Sequence, residues 1–279
     1  MYFGLLCKGG GVMKDEYSVK ADEVNVGYSY KETVPVGLDN NHCHDLYEIL
    51  YVIQGSGKYV VEGSEFAVRP RTLMLIRPFA YHYLELDEGT PYERFVIHFS
   101  GKAVPELSQS MLANISGQES DCGNYYPPIS VSETLISVFD RFDCAKTLPD
   151  EEKRAYVKTL LSEIIILLSA AGGERMINNE EELGARVISY LNGNILKNIS
   201  LDKLSRRFFV SKYYLCRAFK KHNGISVHGY INQKRIMYAK QLIEAGETAS
   251  SAAYKVGFGD YSAFYRAYTK IVGKSPTSK

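Results

Sequence analysis

The stretch Ala253–Pro276, AYKVGFGDYSAFYRAYTKIVGKSP, decides the fold of this chain. Its first residues continue a short helical run, ASSAAYKV, and GFGD breaks that run with a turn. After the turn, Phe264 and Tyr268 recur four residues apart and mark the buried side of a second helix, which Gly273 ends. Two short helices around a tight turn form a helix-turn-helix. Upstream the arrangement recurs. Ser200 is placed to cap LDKLSRRF, Phe208 to Val210 make a turn, and Ser211 is placed to cap KYYLCRAFKKHNG, which Gly224 ends. Leu215 and Phe219 take the core positions. Ser211 and Asp260 are equivalent points about 50 residues apart, an internal duplication of architecture. A longer helix opens at Ser226 and runs about 20 residues, to the approach of Gly246, between the two units.

Charge separates the chain into halves. From Glu181 to Lys279 there are 17 Lys and Arg against 6 Asp and Glu, a net of +11, while the preceding 180 residues carry 16 against 26, a net of −10. A localised basic excess of this size is the footprint of a polyanion, whose condensed counterions are released when lysine and arginine replace them. A merely solvated basic surface is the bland alternative. The spacer helix adds a length: at 1.5 Å per residue it spans about 30 Å, close to the roughly 34 Å between successive major-groove openings on one side of B-DNA. Two such units in one chain can reach adjacent grooves of double-stranded DNA.

The five cysteines, Cys7, Cys43, Cys122, Cys144 and Cys216, are scattered, odd in number and without a CxxC pair, which argues against structural zinc or a disulfide framework and for a reducing, cytoplasmic setting. The longest apolar run, Ile164 to Leu168 extended to Ala171, is far short of the roughly 20 residues that cross a bilayer, so no membrane segment is expected. The first residues lack the order of a signal peptide. Codons for Lys8, Gly9 and Gly10 can spell AAGGAGG, like a bacterial ribosome-binding sequence, which makes Met13 the expected start and residues 1–12 an untranslated leader.

From about Val24 to Ser100 the pattern is strand-like: YEILYVI, KYVVEG, EFAVRP, TLMLIRP and RFVIHFS are short β-branched or aromatic runs broken by turn residues, as in a barrel or sandwich. GQESDCGNYYPP, Gly117 to Pro128, is turn-rich and reads as a linker. Beyond it lie two helical runs. In the second, Tyr156, Leu160, Leu161, Ile164, Leu167 and Leu168 form a stripe, with Asp150 as candidate N-cap and Gly172 as stop. The stripe fits packing against the barrel or a dimer seam.

The run from Ile199 to Pro276 resembles the AraC/XylS family of transcription regulators, above all in Ala253–Pro276. Thr269 before Lys270 is a departure, and so is Phe209 at a turn position where relatives often have Gly. The resemblance implies that the first recognition helix offers Tyr213, Cys216 and Arg217 to bases, and the second Tyr261, Ser262, Tyr265 and Arg266. Arg217 and Arg266 have the fork that pairs with guanine O6 and N7, and the tyrosines suit thymine methyls or phosphates. Lys212, Lys220, Lys221, Lys255 and Lys270 are assigned to phosphates.

HCHDLYEILYVIQG, with RPFAYH downstream, resembles the cupin barrel, which commonly precedes AraC-type DNA-binding units as a sensor. Residues of equal parity share a strand face, so His42, His44, Leu46 and Glu48 would point together into the lumen if the strand is regular. His82 joins them from the later segment, and Arg94 and His98, which share strand parity, are further candidates for the same lumen. Three histidines and a carboxylate suit a divalent metal; a small ligand such as a sugar, or simple satisfaction within the wall, are the other readings. The second cupin motif is incomplete.

These readings give a multi-domain chain: an N-terminal cupin-like β-barrel with trailing helices and a C-terminal all-α domain with two helix-turn-helix motifs. Residues 1–20 are expected to be a flexible terminus, 21–116 the ligand-sensing barrel, 117–178 a linker with dimerisation helices, and 179–279 the DNA-binding domain, its motifs near 200–221 and 249–272. The expected function is non-enzymatic: a small-molecule effector, a sugar among the candidates, controls a homodimeric regulator that binds double-stranded DNA and contacts RNA polymerase. No cofactor is required, and a divalent metal is the one candidate. A metal-dependent cupin enzyme fused to a DNA-binding module, and a ligand-independent dimeric regulator, are the competing classes.

Overall fold

The computed structural model describes residues 16–33, 41–117, 123–176 and 182–277. The leader and the start at Met13 lie outside the described residues. The first half is built on antiparallel strands β1 (Tyr17–Ala21), β2 (Val24–Lys31), β3 (Tyr47–Gln54), β4 (Gly57–Val61), β5 (Ser64–Val68), β6 (Leu73–Ile76), β7 (His82–Leu86), β8 (Tyr92–Phe99), β9 (Gly123–Tyr126) and β10 (Glu174–Arg175). They make a seven-stranded sheet in the order β1-β2-β8-β3-β6-β9-β10 and a three-stranded sheet in the order β5-β4-β7.

Two sequence expectations are corrected here. Residues up to 20 are not all a free terminus, because Tyr17–Ala21 pairs along its whole length with β2. Gly117–Pro128 is not simply a linker, because Gly123–Tyr126 pairs with Leu73–Ile76 inside the large sheet. Its glycine and asparagine disguised a strand whose other residues are tyrosines.

The alternation of β3 sorts the two faces. Ile49 and Tyr51 join Phe95, Ile97 and Phe99 in a core shared with the helices α1 (Glu106–Ser116), α2 (Glu133–Arg141) and α3 (Asp150–Ala171). Leu50 and Val52 face the other way, against Tyr59, Val61, Met74 and Leu84 between the sheets. Glu48 shares the parity of this inner face. The stripe on α3 belongs to the first core: Leu160, Leu161, Ile164 and Leu168 are at most 1% exposed, with Tyr156 and Leu167 packed alongside. Pro149, not Asp150, is the residue before α3; Asp150 is its first helical residue, where its charge meets the positive end of the helix. Gly172 ends it in the left-handed conformation.

The second half contains α4 (Leu183–Asn192), α5 (Leu201–Arg207), α6 (Lys212–Asn223), α7 (Val227–Glu244), α8 (Ala249–Lys255) and α9 (Tyr261–Val272). Side chains cap the last five: Ser200, Ser211, Ser226, Thr248 and Asp260 each accept from amides of the first turn. Each such cap contributes about 1 kcal/mol by satisfying donors that the helix leaves free. Leu215, Phe219, Phe264 and Tyr268 are buried, as their spacing requires, in a core that runs through all six helices. That core also takes in Cys43, Val60, Tyr81 and Tyr83 of the barrel, so the two halves share a continuous apolar contact.

Candidate nucleic-acid interface and effector cavity

Helices α5 and α6, and α8 and α9, form the two helix-turn-helix units. On α6, Lys212, Tyr213, Arg217, Lys220 and Lys221 are exposed, Tyr213 by 76%, while Cys216 is partly buried. On α9, Tyr261, Ser262, Tyr265, Arg266 and Lys270 are exposed. Each recognition helix therefore turns an arginine and tyrosines outward from the same turns that bury Leu215, Phe219, Phe264 and Tyr268. Two lysines are engaged within the chain: Lys212 lies 2.6 Å from Asp202, and Lys255 pairs with Glu247. Spacing alone did not single out Tyr214, 57% exposed on α6, or Tyr254, 83% exposed on α8.

In the first half, the chain from His42 to Leu46 is not one regular strand with β3; His42 instead forms an isolated bridge with His82, and β3 begins at Tyr47. This departs from the parity expectation, and Leu46 is not among the residues lining the cavity. The histidines converge by folding. Candidate ligand atoms of His42, His44, Glu48 and His82 all lie within 4.8 Å of one another. His98 reaches the same carboxylate, its Nε2 3.0 Å from Glu48 Oε2, and the Tyr59 hydroxyl donates to Glu48 Oε1 at 2.9 Å.

Hydrogen bonds to carbonyls fix the tautomers. A carbonyl only accepts, so His82 Nδ1, 2.8 Å from Ala80 O, and His44 Nδ1, 2.9 Å from Leu46 O, must donate. In the neutral rings both Nε2 lone pairs then face Glu48 Oε2, at 3.5 Å for His82 and 3.0 Å for His44. His82 Nε2 is buried without a hydrogen-bond partner. Lone pairs aimed at a carboxylate oxygen call for a positive species between them, a proton or a cation. Burial pushes the His44 pKa below its ordinary value and so resists the proton. For Glu48, burial would raise the pKa, but His82, His44 and His98 outweigh it and hold the carboxyl well below its ordinary value. An ionised carboxylate and imidazoles oriented through Nδ1 are a donor set that fits a divalent cation.

These groups sit in a cavity of about 840 Å³. Arg94 and His98 line it from β8, as their shared parity predicts, with Val96 between them. The opposite wall comes from the other half of the chain: Gln233, Met237 and Lys240 of α7, and Lys270, Ile271 and Val272 of α9. Lys270, expected at DNA phosphate, thus lies at the cavity. Sequence patterning carried no sign of this shared wall, because it arises only from docking of the two halves.

That docking is specific. At the β4–β5 turn, Glu62, 1% exposed, meets Lys234 Nζ at 2.5 Å and accepts from the Tyr230 hydroxyl at 2.5 Å and from the Tyr81 amide at 2.9 Å. Lys240 Nζ lies 2.7 Å from Asp45, and the Phe79 and Tyr238 rings stack with centroids 4.3 Å apart.

A polar chamber in a cupin-like barrel, walled in part by the helix that joins two helix-turn-helix units, defines a ligand-responsive, DNA-binding transcription regulator. Comparison with known proteins agrees. Residues 38–175 match the AraC-like ligand binding domain, and residues 204–278 match a helix-turn-helix domain. The chain belongs to the AraC family of transcription regulators, with an N-terminal sensor domain. It is 27% identical over 233 residues to the HTH-type transcriptional regulator YbfI of Bacillus subtilis strain 168, covering 80% of each chain. It is 24% identical over 241 residues to the HTH-type transcriptional activator RhaS of Klebsiella pneumoniae strain 342, covering 84% of this chain and 85% of that one. Among solved structures, unsaturated fatty acid bound ToxT from Vibrio cholerae aligns with a TM-score of 0.42 at 15% identity, over 95% of this chain and 96% of that one.

Proposed function

We propose that α6 and α9 read base edges through Arg217 and Arg266, with Tyr213, Cys216, Tyr261, Ser262 and Tyr265 as the flanking contacts and Lys212, Lys220, Lys221 and Lys255 on phosphates. The observation that carries this is the outward projection of an arginine from each capped recognition helix while the intervening residues fill the core. Arg217→Ala is expected to cost about 1–3 kcal/mol on the preferred site and to leave binding to random duplexes nearly unchanged. An equal loss on all sequences in a duplex titration would reject base reading.

The cavity around Glu48 is the effector site on this reading. A bound small molecule acts by its differential affinity for two arrangements of the halves. A homodimer, contact with RNA polymerase and a cytoplasmic location belong to the same reading.

The lone pairs of His44 and His82 favour a second feature of the site, a divalent cation held by His42, His44, Glu48 and His82. Bound there, it would act as an electrophilic anchor for an oxygen-bearing effector. Around it, Ala80 and Leu46 carbonyls orient the rings, and Tyr59 and His98 hold Glu48. Metal analysis of the purified protein is expected to find close to one ion per chain, lost in His44→Ala; a metal-free protein from metal-supplemented growth would refute it.

A further inference from the structure

We propose that the effector is a small organic anion held across the seam between the two halves, with its carboxylate or phosphate on Lys270 of the second recognition helix. This rests on the reading of the barrel cavity as the effector site. The strand side of the cavity contributes Glu48, Tyr59, His82, Arg94, Val96 and His98, while the spacer and α9 close the opposite wall. An occupant of this space touches the DNA-binding half directly.

The charges of the wall select the class of ligand. Its carboxylates are Asp45 and Glu48. Asp45 is engaged by Lys240, whose Nζ lies 2.7 Å and 2.8 Å from its two oxygens. Glu48 is engaged by Tyr59 and the histidines. Lys270 lines the same wall and makes no ion pair among the described residues. With both acids engaged, the Lys270 ammonium favours an anion, because charge-assisted hydrogen bonds are about twice as strong as neutral ones. Leu84, Met237, Ile271 and Val272 supply an apolar surface for a carbon skeleton, and about 840 Å³ accommodates an organic acid or sugar phosphate rather than an inorganic ion alone.

The placement gives the coupling a short path. Arg266 precedes Lys270 by one helical turn on α9. A ligand that draws Lys270 toward the barrel therefore bears on the helix that carries Tyr265 and Arg266, with no intervening element.

The test uses the full chain in thermal-shift and calorimetric titrations, with citrate, D-gluconate and glucose 6-phosphate as anionic probes and glucose and glycerol as neutral ones. The anions are expected to raise the melting midpoint and the neutral compounds to leave it unchanged. Lys270→Gln should weaken anion binding about tenfold or more, equivalent to roughly 1.4 kcal/mol. Lys274→Gln, a neighbouring exposed lysine outside the cavity wall, should leave it unchanged. The unliganded melting midpoint of Lys270→Gln confirms that the variant is folded. Equal anion affinity in Lys270→Gln and the wild type, or no response to any anionic probe, overturns the proposal. Binding of neutral sugar alone also overturns it, while leaving the cavity as an effector site; a compound that binds but is unaffected by substitutions at both Lys270 and His98 would remove that broader reading as well.

Discussion

Glu48 is the pivot of the sensor at the scale of a single side chain. Buried carboxylates are expensive unless paired, and this one is surrounded by imidazoles and a tyrosine hydroxyl. Its acidity and that of His44 set a pH dependence for the chelator-treated protein. The folded-state pKa of His44 is lowered, so below the ordinary value of 6.5 the unfolded chain takes up a proton that the folded chain resists, and stability falls with pH. The Glu48 pKa is also lowered; its contribution is complete above the ordinary 4.5 and is lost as the pH drops further through the folded value. Melting midpoints followed from pH 7.5 downward should decline in those two stages, and His44→Gln should remove the first. Sequence named these residues through the spacing of histidines and acid, but not the orienting carbonyls of Leu46 and Ala80, which only a folded backbone can supply.

At the scale of elements, the paired helix-turn-helix units were the most legible part of the chain. Their polar caps, left-handed glycines and four-residue apolar spacing are local signals, and local signals survive in sequence. Strand β9 was not, because it pairs with a partner far away in the chain: Gly123 and Asn124 look like turn residues until Leu75 and Ile76 lie beside them. Strand β1 is the near arm of a hairpin with β2, turning at Asp22 and Glu23, and it adds a strand before the run that the pattern marked from Val24. The two turns differ instructively. Gly257 takes φ 89° in the second unit, whereas Phe209, 95% exposed, takes φ 55° at the equivalent place in the first. A side chain in that conformation costs about 1–2 kcal/mol and here recovers no packing. Phe209→Gly is accordingly expected to raise stability by up to about 1 kcal/mol, the flexibility of glycine in the unfolded chain offsetting part of the gain. Thermal unfolding of the two proteins checks it; a lower midpoint in the variant would contradict the strain argument.

On the scale of the whole molecule, the halves meet through a buried ion pair. Glu62 and Lys234 satisfy each other with help from Tyr230 and Tyr81, and removing one partner leaves a charge in an apolar core. Lys234→Met is expected to destabilise the docked arrangement by about 3–5 kcal/mol, more than Glu62→Gln combined with Lys234→Met, because the double variant buries no uncompensated charge. Chemical denaturation of the wild type, the two single variants and the double variant distinguishes these outcomes; additive losses would deny the coupling. Neither Glu62 nor Lys234 stood out in the sequence, since a lysine on a spacer helix and a glutamate before a glycine look like ordinary surface residues until the halves dock.

Cys43 lies within that same seam, 5% exposed, with burial pushing its thiol up to about 12. Thiolate is the species that alkylating reagents attack, so this sulfur is silent while the halves stay together. Cys144, exposed on the sensor's outer surface, has no such shield. The ratio of their modification rates is a stopwatch built into the native chain: it times how often sensor and reader part company, and how an occupant of the chamber lengthens or shortens that interval.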